Sequence, residues 1–317
     1  MGTTVPRDTP TRDAPTRDTP VSVVVATRDR PDMLADCLGA LLVSLAPLDE
    51  LVVVDSCSRT GATAAVAERR GARLLRCDTP GASLARNTGW RAARHDDVAF
   101  VDDDVRVSAP WANALRAALG SHPEAAFVTG RLGLGSSPTP VERPVAVFDR
   151  AEPAVIDRAA ARDVGHGANM AVRRAALSAV GGFDEAFGPG ARWPAAEDLD
   201  LLDRLLGAGF VGRYEPSVEA THAQWRTRRD LVRLEWSYGT GQGARLARLW
   251  SGDRSRARLV TPPVVWDDGV KDLATCVRRG YEFGALLAGA RLAATVRGAL
   301  GYRAARGRPS RVWRRDR

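Results

Sequence analysis

Three short apolar runs, well separated, limit the folds open to this chain. They are residues 21–26, 50–55 and 98–101, each rich in β-branched side chains. Runs of this length read as buried strands. Between them lie stretches with helical spacing. After Pro31, which suits a first helical turn, come Met33, Leu34, Cys37, Leu38, Leu41 and Leu42. A small-residue helix follows Gly61 and runs to about Arg70, a short strand is expected over 72–76, and a helix over 83–94. Strands alternating with helices across short links predict a parallel α/β sheet.

The third run stops at Asp102, Asp103 and Asp104. Buried parallel strands deliver functional groups at their carboxyl ends. Adjacent carboxylates repel one another, by about 1 kcal/mol or more when partly desolvated. A cation among them relieves that repulsion, and oxygen-only ligands suit Mg²⁺ or Mn²⁺. A solvated acidic turn is the competing reading of the triplet alone.

Composition narrows the classes. The 317 residues carry 46 basic and 38 acidic side chains, a net charge of +8, and Lys271 is the only lysine. Positive charge suits nucleic acid, membrane surfaces or phosphorylated ligands. Aromatics are sparse, however, and no RRM, KH or zinc-finger pattern interleaves them with arginine, so no nucleic-acid partner is expected. Neither GxGxxG nor GxxxxGKS/T occurs at a strand-to-helix turn, which excludes a Rossmann dinucleotide site and a P-loop. Cys37, Cys57, Cys77 and Cys276 lack CxxC spacing, which argues against zinc and disulfides and fits a reducing cytosol. No apolar signal region opens the chain. The best candidate span, 283–300, is cut by Arg291 and Arg297. It falls short of the ~18 uninterrupted apolar residues a membrane crossing needs. The arginine-heavy composition points to a bacterial source.

Three regions emerge. Residues 1–20 hold an imperfect repeat of Arg-Asp-Thr/Ala-Pro, too polar to bury a core, and read as a disordered tail. Residues 21–245 read as one α/β domain, with a nucleotide-binding half over 21–105 and an acceptor-binding half over 106–245. Within the second half, an amphipathic helix begins at Glu197 and is stopped by Gly207 and Gly209. Residues 133–163 are broken by Gly, Ser and Pro and resist assignment. Residues 246–317 read as a basic helical extension. Its arginines could meet a membrane surface or a partner, although packing on its own domain is the commoner outcome.

Taken in order, several short motifs resemble the family 2 glycosyltransferases, which have the GT-A fold. They are Val-Ser-Val-Val-Val-Ala-Thr-Arg-Asp-Arg at 21–30, Val-Val-Val-Asp-Ser-Cys-Ser at 52–58 and Ala-Arg-Asn-Thr-Gly at 85–89. The Asp triplet follows, then Gly-Ala-Asn-Met-Ala-Val-Arg-Arg at 167–174 with Gly-Gly-Phe-Asp-Glu after it, and Glu-Asp-Leu-Asp-Leu at 197–201. The resemblance covers residues 21 to about 245. It implies inverting transfer of a sugar from a nucleotide-diphosphate sugar to an acceptor hydroxyl, assisted by Mn²⁺ or Mg²⁺. The acceptor class stays open between a glycan, a lipid-linked molecule and a secondary metabolite. The expected location is the cytoplasm, with peripheral contact at the inner face of the membrane left open.

The resemblance also implies roles. Asp104 would ligate the metal, which neutralises the departing diphosphate, and Asp102 would contact the nucleoside. Asp103 is grouped with the donor-binding residues but is the least defined of the three. Asp55 would read the nucleobase edge, Thr27 and Arg28 would flank the base, and Arg86 would supply cationic hydrogen bonds near the nucleotide. Asp198 would be the base that takes the acceptor proton, with Glu197 supporting it. His222 is a candidate third metal ligand. His166 is a candidate for the acceptor pocket, and Trp193 is equally a candidate sugar-stacking platform or a core side chain.

Gln224-Trp225-Arg226 is not the Gln-x-x-Arg-Trp motif of processive polymerising members, so transfer of one or a few sugars is expected. Ser56-Cys57-Ser58 replaces a more usual turn and leaves the nucleotide open. Two other readings compete. One is a sugar-nucleotide nucleotidyltransferase, although the 27–31 loop lacks the glycine that reading needs. The other is a non-catalytic basic binding protein.

Overall fold

A computed structural model defines the fold and describes residues 19–138, 141, 143–160 and 164–306. The proposed N-terminal repeat lies almost wholly outside the described residues. β1 (Val21–Thr27), β2 (Glu50–Asp55) and β4 (Asp97–Val101) are buried runs, as their composition requires. β3 (Arg73–Arg76) completes a parallel set in the order β3-β2-β1-β4.

Beyond β4 the sheet changes direction. β8 (Asn169–Arg173) runs antiparallel to both β4 and β6 (Ala125–Leu134). β9 (Val211–His222) runs parallel to β6, and β5 (Val105–Val107) and β7 (Ala154–Ile156) pair antiparallel with β9. Among the described residues these nine strands form one mixed sheet. β9 is continuous even though it contains Pro216. Pro216 cannot donate to a ladder, and the β6–β9 register slips between Gly130 and Arg131, opposite that proline.

Helices cover both faces. α1 (Pro31–Ser44) and α4 (Trp111–Ser121) bury Leu34, Leu38, Leu41, Trp111 and Leu115 against one face. α3 (Ala82–Ala92), α5 (Arg174–Val180) and α6 (Glu197–Gly207) cover the other with Trp90, Leu177, Leu201 and Leu205. α2 (Ala62–Arg69) lies beyond α1. Each fully buried Leu contributes about 1.5–3 kcal/mol; Leu38→Ala, at a site with no solvent exposure, would cost about 2–5 kcal/mol.

The C-terminal part is not an appendage. α7 (Arg228–Gly252) starts from a reciprocal Thr227–Asp230 capping box and runs through position 245 without a break. α8 (Arg254–Pro262), a π-helix (Pro263–Lys271) and α9 (Asp272–Arg278) follow as one rod, and α10 (Glu282–Arg306) returns along α7. Paired prolines at 262 and 263 cannot donate to a regular helix ladder, and the backbone widens there. Glycines let α7 and α10 meet backbone to backbone. A Cβ on Gly243 would lie 1.9 Å from the Thr295 oxygen, and one on Gly298 would lie 2.1 Å from the Thr240 oxygen.

The arginine excess is partly structural. Asp203 of α6 accepts hydrogen bonds from Arg245 of α7 and Arg256 of α8, both at 2.6 Å, with all three side chains buried. Arg248 pairs with Asp200, at 3.0 Å, and with Asp184. Despite Arg291 and Arg297, residues 282–305 of α10 have the length and mean hydropathy to cross a membrane, and a third of that apolar window is buried in this fold.

Candidate active site

A cavity of about 270 Å³ opens at the carboxyl ends of the parallel strands. The turn after β4 delivers the acidic triplet there, and the three carboxylates part ways. Asp102 Oδ1 accepts from Arg86 at 2.7 Å, and its side chain reaches the cavity. Burial works against its charge, but the Arg86 guanidinium outweighs it and holds Asp102 below the usual carboxylate range. Asp103 has no solvent exposure and does not line the cavity. It accepts from Thr27 Oγ1 at 2.6 Å and forms an ion pair with Arg30 at 2.7 Å. Burial, with help from Asp104, pushes Asp103 up to about 7. Its place is beneath the site, holding the β1 loop, so the expected donor contact by Asp103 is corrected.

Asp104 lines the cavity and is ringed by donors. Its Oδ2 accepts from Arg30 at 3.2 Å and from Trp225 Nε1 at 3.0 Å, with Arg226 at 3.6 Å. Both guanidiniums also sit over the Trp225 ring, at 5.8 and 4.6 Å from its centroid. Arg30, Trp225 and Arg226 were not picked out from the sequence as site residues. Their signals were their neighbours: two positions after Arg28, and three and four after His222.

The donors present decide how far this cluster suits a divalent ion. Asp104 suits one, because Mg²⁺ and similar ions bind through one or two carboxylates and take their other ligands from phosphates and water. His222 is placed 3.4 Å from Asp104 Oδ1 through Nε2. The Gln224 amide is oriented by Val145, whose N–H donates to Oε1 at 2.9 Å and whose oxygen accepts from Nε2 at 3.0 Å. That turns the Gln224 NH₂ toward His222 Nδ1, 3.2 Å away. The two Gln224 N–H groups have the Val145 and His222 carbonyl oxygens as acceptors, both at 3.0 Å, and Nδ1 is the longer third contact. His222 thus lies beside Asp104 as a candidate ligand through Nε2. Burial lowers its pKa, which suits the neutral ring. Among the described residues, no three His, Cys, Asp or Glu side chains are grouped to hold an ion.

Arg86 ties the two halves together. It donates to Asp102 at 2.7 Å and to Glu197 at 2.8 Å while almost fully buried. Its guanidinium is thus engaged by protein carboxylates, where sequence reading expected bonds to a nucleotide. Burial raises the Glu197 pKa above the usual range in spite of that pairing. Ala196 precedes Glu197 in a left-handed conformation, φ 68°, which bends the chain into α6. The next residue, Asp198, faces the cavity and accepts from the Gly167 N–H at 3.0 Å. A Cβ on Gly167 would lie 2.5 Å from the Asp198 Cβ, so that approach requires glycine. A carboxylate in the first turn of a helix is favoured as the anion by about 0.3–1 kcal/mol. His166 Nδ1 is 3.7 Å from Asp198.

The remaining expected residues divide. Thr27 and Arg28 line the cavity, Arg28 half-exposed beside Asp29. Asp55 is buried beside the cavity rather than in its wall. Its oxygens accept from the Ser58 N–H and from Arg76, both at 2.8 Å. Trp193 lines neither this cavity nor the next and packs on Tyr302, with centroids 5.8 Å apart. It is core, and the stacking role is corrected.

Sequence comparison fits this geometry. The profile of glycosyl transferase family 2 matches residues 22–181, half of the chain, including β1, the Arg86 helix and the acidic triplet. The chain belongs to glycosyl transferase family 2. This family 2 chain is 32% identical over 243 residues to a pre-mycofactocin glycosyltransferase of Mycobacterium tuberculosis, across 72% of its own length and 47% of that protein. It therefore spans about half the length of the curated relative it matches. A mannosyltransferase from Pyrobaculum calidifontis, solved with GDP-mannose and Mn²⁺, superposes with a TM-score of 0.61 at 17% identity. That match covers 88% of the family 2 chain and 87% of the mannosyltransferase, and it shows the shared GT-A fold.

Proposed function

We propose that this protein transfers a sugar from a nucleoside-diphosphate sugar to an acceptor hydroxyl by direct displacement with inversion. The observation that carries the reading is the Arg86 bridge. It sets Asp102, on the nucleotide side, against Glu197, next to Asp198, across one cavity. Sugar transfer by displacement needs that juxtaposition of an activated leaving group and a base.

Asp198 is the proposed base. The Gly167 N–H and its place at the start of α6 hold its carboxylate at the cavity, where it would take the acceptor proton. Asp102 would meet the nucleoside, and Thr27 and Arg28 the base. Asp104 would hold Mn²⁺ or Mg²⁺, which when bound supplies Lewis-acid neutralisation of the leaving diphosphate. Arg30 and Arg226, which screen Asp104, are placed to turn toward the phosphates as bidentate donors. Asp55 would support the base site through the 55–58 turn rather than by direct contact.

GDP-mannose with Mn²⁺ is the first donor pair to try, because a protein of the same fold holds it. Asp198→Asn should lower turnover by at least about 10²-fold while nucleotide affinity stays within about twofold. Unchanged turnover refutes the base assignment. Asp104→Ala should abolish metal-dependent nucleotide binding without loss of fold, and full activity in EDTA refutes the metal role.

A further inference from the structure

Asp198 stands between two cavities. Behind the first lies a second, of about 390 Å³, within the range of small-molecule sites. His166, Ala195, Ala196, Asp198 and Tyr238 line both. The far walls differ from the first cavity. They come from the π-helix, through Val264, Val265 and Gly269, from α10, through Leu292, and from Phe148 and Leu199. The π-helix is rare, and its single turns are frequent at functional sites. This one carries two half-buried valines that pack on Leu246, Leu249 and Val260 and also line the chamber.

The charges in the chamber also select. Arg291 reaches it already paired with Glu235 at 2.6 Å and stacked over Tyr238. Asp198 and Asp268 are the acidic side chains of the lining, so the wall offers no surplus cation to an anionic acceptor. Branched aliphatic and aromatic surfaces form most of the rest, and such walls bind apolar bodies by desolvation.

We propose that this chamber is the acceptor site, and that the acceptor is an uncharged small molecule with an aromatic or branched apolar body. The body lies against Val264, Val265 and Leu292, and one hydroxyl points through the gap to Asp198. The hydroxyl proton passes to the Asp198 carboxylate as the oxygen bonds to the anomeric carbon, and the nucleoside diphosphate departs with the electron pair of the broken bond. The assignment rests on Asp198 as the base. It gives the C-terminal helices a part in substrate choice that a membrane-binding appendage would not have.

The test titrates the full chain with 4-methylumbelliferone, a fused-ring aromatic phenol, and with glucose as a polar control. GDP binding with Mn²⁺ is followed in parallel by thermal shift. The wild type should bind the phenol at least tenfold more tightly than glucose. Amide exchange should slow over 263–271 and 288–295. Val265→Trp, which fills the chamber, should weaken phenol binding at least tenfold and leave the GDP response unchanged. Leu292→Gln, which adds no bulk, should weaken it as well if Val265→Trp does not fold. Equal binding of glucose, undiminished binding by the variants, or protection confined to the first cavity overturns the proposal. Loss of the GDP response in the wild type with phenol binding intact would instead refute the donor reading and leave the chamber standing.

Discussion

Asp203→Asn tests whether the C-terminal helices are locked to the domain by buried charge. Asp203 accepts from two arginines at 2.6 Å, and all three side chains are at most 5% exposed. Asparagine keeps the volume but loses the charge and can present only one acceptor oxygen. One guanidinium is left facing an amide donor. Hydrogen bonds to charged groups contribute about 1.5–3 kcal/mol each, and removing one partner of a buried ion pair costs about 3–5 kcal/mol. Arg256 retains the Arg158 and Ala160 carbonyls, at 3.2 and 3.0 Å, which softens its isolation. The expected loss is therefore about 3–4 kcal/mol by urea denaturation, or a Tm about 6–16 °C lower. Replacing Arg245, Asp203 and Arg256 together by Met, Leu and Met should restore stability to near the wild type, since apolar substitutes for buried ion clusters are often neutral or better. A loss below about 1 kcal/mol in the single variant would show that these charges are solvated in solution and would refute the reasoning.

Three further outcomes can be checked. Burial alone would raise Glu50, but hydrogen bonds from Ser22, Arg94 and Arg73 prevail and lower its pKa. Its stabilisation is thus present above the unfolded value near 4.5 and lost as pH falls through the folded value, so Glu50→Gln should cost stability at pH 7 and converge with the wild type in acid melts. Gly243→Val drives a side chain into the α10 backbone; about 2–4 kcal/mol of stability should be lost, with faster amide exchange across 282–306. Ala196→Gly removes the left-handed strain at φ 68° and should raise Tm slightly, a gain of up to about 1 kcal/mol, whereas a fall would show that the turn is not strained.

The parallel half of the sheet was legible because its strands are nearly pure β-branched runs and its helices keep regular spacing. β6 to β9 were harder to read, since Gly130, Pro216 and the β7 segment depart from any simple period. In the site, motif position singles out Asp102, Asp104 and Asp198, and all three line one cavity. The identity of each contact was not legible. Arg86 and Asp55 look like free ligands in sequence, yet both are engaged by long-range partners at separations of 111 and 21 residues. His222 shows the same limit, since the Gln224 amide beside it is oriented by Val145, which no local pattern links to it. The pairing of Arg245, Arg248 and Arg256 was not legible, because the acids that neutralise them, Asp203 and Asp200, lie some 40 or more positions earlier on α6.

The glycine contacts between α7 and α10 have a bearing on how the protein comes into being. Gly241 of α7 presses on the Ala195 backbone, where a Cβ would lie 2.4 Å from its oxygen, and Gly239 and Gly243 set α7 against α10. The backbone just before the Glu197–Asp198 pair is thus buttressed by α7, and α7 is backed in turn by α10, whose Gly298 meets the Thr240 backbone 100 positions after Asp198. At about 5–20 residues per second, a ribosome needs roughly 5–20 s to travel that distance. During that interval the two carboxylates have emerged without the wall that fixes them. A nascent chain can close its nucleotide half early, but its reactive half stays unset until the helix carrying Gly298 arrives.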